Sequence, residues 1–187
     1  MYWVIGLFDT KTEQAVKDIW NKLSENSIIS EEEKVEDPRP HITLANYYDL
    51  NQDEYIGLMD NYYEDQSIVN ISLNTIGSFL NHPTIFLSPT ITKELMELHT
   101  NHHDYFKKFN RYANPYYLPD QWIPHCTLAN KVSTDKLAEA FHYCLNNHQT
   151  IVGELREVAL IQLADEGIAG VHAPIIFSKK LGLSGQR

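Results

Sequence analysis

Two seven-residue segments of this 187-residue chain differ at a single position. Pro40-His41-Ile42-Thr43-Leu44-Ala45-Asn46 recurs as Pro124-His125-Cys126-Thr127-Leu128-Ala129-Asn130, 84 positions further on (41 to 125). Histidine and threonine two apart on an extended strand point to the same side. His41, Thr43 and Ala45 are therefore expected on one face and Ile42 and Leu44 on the other. In the second copy His125 and Thr127 oppose Cys126 and Leu128 in the same way. Two imidazoles converging on one point suit phosphodiester chemistry, one taking a proton from the nucleophile while the other protonates the leaving oxygen. An ordinary pKa of about 6.5 lets both forms coexist near neutrality. Two threonine hydroxyls beside them can donate to the non-bridging phosphate oxygens as charge builds. The scheme calls for no metal and no cofactor, and it leaves open which histidine is base and which is acid.

The elements that must carry these residues follow from patterning. Trp3 to Phe8 reads as a short central strand, and Thr10-x-x-Glu13 as a capping box for a helix with Ala15, Val16, Ile19, Trp20 and Leu23 on its inner face. An acidic, proline-broken link (Glu31, Glu32, Glu33, Glu36, Asp37, Pro38) leads into the first motif strand, 41–47. Asn51 caps the next helix, through about Tyr63. Ile68 to Phe79 and Thr84 to Leu87 form a hairpin. Pro89 and Thr90 open a helix with Leu95, Leu98, His102, Tyr105, Phe106 and Phe109 at helical spacing. A Tyr-, Asn- and Pro-rich loop, 110–121, delivers the chain to the second motif strand, near 123–130. Ser133 or Thr134 then caps a helix whose inner face is Leu137, Phe141, Cys144 and Leu145. Ile151 to Leu163 and Val171 to Phe177 close the chain as strands about the turn 164–167. The order helix, motif strand, helix, strand, strand thus occurs twice, which argues for internal duplication. Residues 1–183 are expected to form one domain of two such halves, with 184–187 a disordered tail.

Composition sets the outer limits. Apolar residues make up 43% and charged residues 21%, as in a water-soluble globular domain, and the net charge of -10 argues against a broad nucleic-acid-coating surface. A small phosphate ligand or an RNA end in a local cleft remains compatible. Cys126 and Cys144, the only cysteines, read as reduced core residues. The N-terminus lacks a basic start, Asp9 interrupts its apolar run, and no apolar run approaches 18 residues, so the chain reads as cytoplasmic and without a membrane span.

His41-Ile42-Thr43-Leu44 and His125-Cys126-Thr127-Leu128 resemble the paired H-x-T-x motifs of the two-histidine (2H) phosphoesterase superfamily, which includes 2'-5' RNA ligase-like proteins and cyclic nucleotide phosphodiesterases. A weaker likeness runs through Ile76-Gly77-Ser78-Phe79, Ile85-Phe86-Leu87 and Trp122-Ile123-Pro124. The resemblance implies a bilobal α+β fold, two pseudo-symmetric lobes each with an antiparallel sheet backed by helices, and a central cleft carrying both motifs. It also implies a metal-independent phosphoesterase acting on a 2',3'-cyclic phosphate or a 2'-5' linkage. The reverse reaction, RNA 2'-5' ligation, and a nucleotide-binding module with little turnover stay open as alternatives.

Around the motifs, Phe79, Tyr112, Tyr116, Tyr117 and Trp122 are candidates to stack on a base, and Arg39 and Lys131 candidates to sit beside the phosphate. Each also has a plain reading as a core or surface residue. His99 and His103, at i, i+4, could form a metal pair with Asp104, but no third ligand stands at matching spacing and a solvated helix surface is the plainer reading. His82, His142, His148 and His172 have no paired partner in the sequence.

Overall fold

The computed structural model describes residues 1–30, 39–163 and 174–182. The acidic link 31–38, the turn 164–167, His172 and the tail 184–187 lie outside the described residues. Among the described residues no helix is long and apolar enough to cross a membrane.

The chain runs β1 (Tyr2–Phe8), α1 (Thr10–Glu25), β2 (His41–Tyr47), α2 (Gln52–Tyr63), β3 (Val69–Ser78), β4 (Ile85–Pro89), α3 (Lys93–Tyr105), β5 (Cys126–Ala129), α4 (Thr134–Asn147), β6 (Ile151–Gln162) and β7 (Ile175–Lys180), with two short 3-10 turns between α3 and β5. The doubled order of elements is present. The fold is α+β, but the two expected sheets are hydrogen-bonded into one antiparallel sheet ordered β2-β1-β6-β3-β4-β5, with β7 also on β6. The twelve-residue β6 makes the join: Leu155 to Gln162 pair with β1, Ile151 to Leu155 pair with β3, and β7 runs beside Glu157 to Ile161. The two ends of the path, β2 and β5, approach each other within 8 Å between Cα atoms.

Helix starts explain how α1 is tied to this sheet. Asp9, not Thr10, is the cap: its carboxylate accepts from the Lys11 and Thr12 amides, from the Thr12 hydroxyl at 2.7 Å and from the Glu154 amide at 2.8 Å. Burial pushes the Asp9 carboxyl up, but the bonds from Thr12, Glu154 and Lys11 outweigh it and the net shift is downward. A side chain at Gly153 would overlap the Thr12 hydroxyl, so only glycine lets β6 lie against this corner. Likewise Thr92 caps α3 through the Leu95 amide, and Pro89 ends β4 instead of opening the helix. In α4 the buried positions are Ala140 and Cys144, while Leu145, expected inside, is 69% exposed because it falls one step past the apolar stripe.

The helix-side core contains an aromatic and imidazole cluster that spacing alone does not reveal. His99, His102 and His103 on α3 are all buried, not solvated. The His102 ring lies 3.3 and 3.2 Å, through Nε2, from the hydroxyls of Tyr47 and Tyr55, and 2.7 Å, through Nδ1, from that of Tyr63. Burial holds it neutral, with its pKa well below the ordinary value. His99 is lowered to about 4, first by burial and then by the charge of His103. Such a group binds fewer protons folded than unfolded, so its contribution to stability is present above pH 6.5 and is lost as pH falls toward 4. Urea unfolding at pH 7 and pH 5 should differ by about 2 kcal/mol from His99 alone, and a His99→Gln variant should lose that share of the pH dependence.

Candidate active site

Both motif strands lie at an end of the sheet, and both depart from regular pairing at the same residue. In β2, Ala45 stands opposite Val4 and Thr43 opposite Ile5, which leaves Leu44 without a partner in β1. In β5, Ala129 stands opposite Ile85 and Thr127 opposite Phe86, which leaves Leu128 over. Each is a bulge, a device that re-aims the side chains next to it. It has turned Ala45 and Ala129 into the core beside the leucines, so the expectation that Ala45 shares a face with His41 and Thr43 does not hold.

His41 and Thr43 stand on the other face. In register with them lie Leu7 and Ile5 of β1, then Glu157 and Ala159 of β6, and a small apolar cluster of Ile5, Leu7, Ala159 and Ile161, packed by Trp3, forms the floor there. On the opposite half, Thr127 is in register with Phe86, and Phe86 with Gly77. A side chain on Gly77 would come within 2.5–2.6 Å of the Phe86 ring, so the glycine makes room for that ring. Phe86 and Phe79 in turn wall the His125 imidazole, with ring centroids 5.2 and 4.9 Å away. His125 stands one residue before β5, and Trp3 meets His41 edge-on at 6.5 Å.

The two imidazoles are oriented alike. His41 donates from Nδ1 to the carbonyl of Arg39 at 3.0 Å, and His125 donates from Nδ1 to the carbonyl of Ile123 at 2.7 Å, in each case two residues back. This bond fixes the tautomer and makes Nε2 the nitrogen that exchanges a proton. The pKa of His125 is lowered, first by burial and then, against the bond to Ile123, by the charge of His41. The carbonyls of the two threonines are held by tryptophans: Trp122 Nε1 donates to Thr43 at 2.9 Å and Trp20 Nε1 to Thr127 at 3.0 Å.

The remaining candidates are spread more widely. Arg39 carries the carbonyl that orients His41, and its guanidinium binds Glu13 at 3.0 Å and Glu157 at 3.4 Å. Trp122 is buried with its ring stacked on His99 at 3.9 Å, so that face is already covered and does not form an open stacking platform. His99 and His103 are engaged elsewhere than a metal pair would require, donating from Nε2 to the carbonyls of Tyr117 and Leu44 at 2.9 and 3.2 Å. Lys131 is exposed in the turn after β5, at φ 55°. Tyr112 bonds through its carbonyl to the Tyr48 amide, past the far end of β2, roughly 20 Å along the strand from His41. Tyr116 is 75% exposed and Tyr117 half-buried. Periodicity reads Trp20, Trp3 and Phe86 as core residues. Only their register against the motif strands sets them apart.

Several solved structures share this architecture. TT0787 of Thermus thermophilus superposes with a TM-score of 0.68 at 15% identity, over 98% of each chain. A phosphoesterase gives 0.63 at 12%, over 96% of this chain and 97% of the other. E. coli LigT complexed with 3'-AMP gives 0.59 at 13%, over 96% of each. At these identities the likeness defines the fold. No curated protein sequence matches, but the family model of the 2'-5' RNA ligase superfamily matches residues 10–167, and the chain belongs to that superfamily.

The causes of the His125 shift can be read by NMR titration of its ring. Phe79→Ala, which opens the apolar wall, and His41→Gln, which removes the charge of that ring, should each move the His125 pKa up toward 6.5. A pKa unmoved in both variants would mean that the wall and His41 do not set it.

Proposed function

We propose that this protein is a metal-independent phosphoesterase that opens a 2',3'-cyclic phosphate, or cleaves a 2'-5' linkage, at a small nucleotide or RNA end. The observation that carries the reading is the matched pair of imidazoles, each fixed through Nδ1 to the carbonyl two residues back, on strands that form the two ends of one sheet. The lowered pKa of His125 supports the role of base, since it keeps the ring neutral near pH 7. In this reading His125 Nε2 takes a proton from water, the water oxygen bonds to phosphorus, and the bond to the ribose oxygen breaks as His41 Nε2 protonates it. Thr43 and Thr127 hold the non-bridging oxygens and stabilise the charge they gain. The contact of Phe79 with His125 supports a role for its ring against the nucleoside.

The substrate class is supported by charge and by the neighbours. LigT has been crystallised with 3'-AMP and with ATP, which supports a small nucleotide here. A net charge of -10 and an Arg39 already bonded to two carboxylates favour a ligand with few phosphates over a long RNA. The same acid-base pair also runs in reverse, so joining of RNA ends is the second activity to assay.

The test is steady-state turnover of 2',3'-cyclic nucleotides with and without chelator. His41→Ala and His125→Ala should each lower kcat by about two orders of magnitude or more, and chelator should change nothing. The acid limb of the pH profile should fall below pH 6.5, where His125 gains its proton. Activity that survives both substitutions would end this reading.

A further inference from the structure

We infer that Trp122 and Trp20 are positioning residues, each acting through the carbonyl of one site threonine and each belonging to the half of the chain that does not carry that threonine. The inference rests on the proposed phosphoesterase reading for its readout. Its structural basis is the pair of bulges. A bulge breaks the ladder and leaves backbone groups that regular pairing would satisfy. At Leu44 the strand presents two successive carbonyls, Thr43 and Leu44, and both are met by side chains from the second half. Trp122 Nε1 donates to Thr43, and His103 Nε2 donates to Leu44. At Leu128 the Thr127 carbonyl is met by Trp20 from α1, in the first half.

The peptide plane after each threonine is therefore set by an indole held in place elsewhere. Trp122 cannot swing, because its ring lies parallel to His99 at an interplanar angle of 2°, and His99 is itself bonded to the Tyr117 carbonyl. Fixing that plane fixes the direction of the threonine Cα–Cβ bond, and with it the hydroxyl that would meet the phosphate. Both indoles pack with the helix-side core, not on the face that carries His41 and Thr43. Their effect on turnover must pass through Thr43 and Thr127 respectively.

A set of double-mutant cycles with 2',3'-cyclic AMP tests this. Trp122→Phe keeps a ring against His99 and removes the N–H. It should lower kcat about tenfold, the scale expected when a positioned group is misplaced, with KM changed less than about threefold. On a Thr43→Ala background the same change should cost almost nothing, whereas on Thr127→Ala it should keep its full effect. Trp20→Phe should show the mirror pattern, silent on Thr127→Ala and intact on Thr43→Ala. A merely structural role would multiply through all four doubles. That result, or an unchanged kcat in both single variants, overturns the inference. If Trp122→Phe folds poorly, 3-benzothienylalanine at position 122 keeps the shape and removes the same N–H, with the same expected pattern. A wild-type protein that turns over no substrate would instead count against the phosphoesterase reading. The cycles are then read as 3'-AMP affinity by calorimetry, where loss of coupling between Trp122 and Thr43 overturns the brace on its own.

Discussion

Everything in this fold that bears on function depends on how two outer strands satisfy their backbone. Among the described residues β2 and β5 end the sheet, so each presents carbonyls with no further strand to meet them, and an unmet buried polar group costs about 1–3 kcal/mol. The bulges at Leu44 and Leu128 sharpen the problem by breaking the ladder on the inner side as well. At Thr43, Leu44 and Thr127 the chain answers with side-chain donors, indoles and an imidazole, and further along β2 with the backbone of residues 112–114. This blunts the edge against pairing with other chains while leaving the His and Thr side chains on the opposite face of each motif strand. It also makes the geometry of the site a property of both halves at once.

The second theme is the use of burial to fix protonation. Histidines occur here in two settings. On α3 all three are buried, and His102 and His99 serve as neutral hydrogen-bonding parts, His102 among three tyrosine hydroxyls and His99 as a flat support for Trp122. At the motifs they are partly buried and tied through Nδ1 to the backbone. The difference is the degree of desolvation: complete at His102, partial at His125, which two phenylalanine rings wall without burying it wholly. Gly77 helps to create that setting by leaving space for Phe86.

The motif pair and the doubled order of elements are legible in the sequence because both rest on local regularities: a two-residue alternation, a helical period, and a repeat. Alternation misplaces Ala45 because a bulge is decided by which strand lies alongside, and no residue in H-x-T-x signals it. Thr10-x-x-Glu13 fits the capping box, whereas Asp9 wins by bonding two helix amides and the β6 backbone together. Trp122 reads as a stacking platform because it precedes the motif. Its indole lies on the core side of the same strand, a distinction that needs the third dimension. His99 and His103 read as solvated because their spacing skirts the apolar stripe, whereas His102 reads as part of the stripe, and the tyrosines arriving from β2 and α2 offset the cost of burying it.

Arg39 shows how such a site can favour an anion in a chain that is strongly negative overall. Its guanidinium is held by Glu13 and Glu157, and Glu13 is also bonded to Lys17. The group is thus close to neutral as a whole, and its effect on His41 comes through a carbonyl rather than through an excess of positive charge. Selectivity for a phosphate would then come from oriented hydroxyls and one protonated imidazole, donors that act over hydrogen-bond distances and fade beyond them. Donors of that kind would exert little long-range pull on a polyanion. Under the proposed function, the arrangement of donors, more than the sum of charges, would set the size of ligand held.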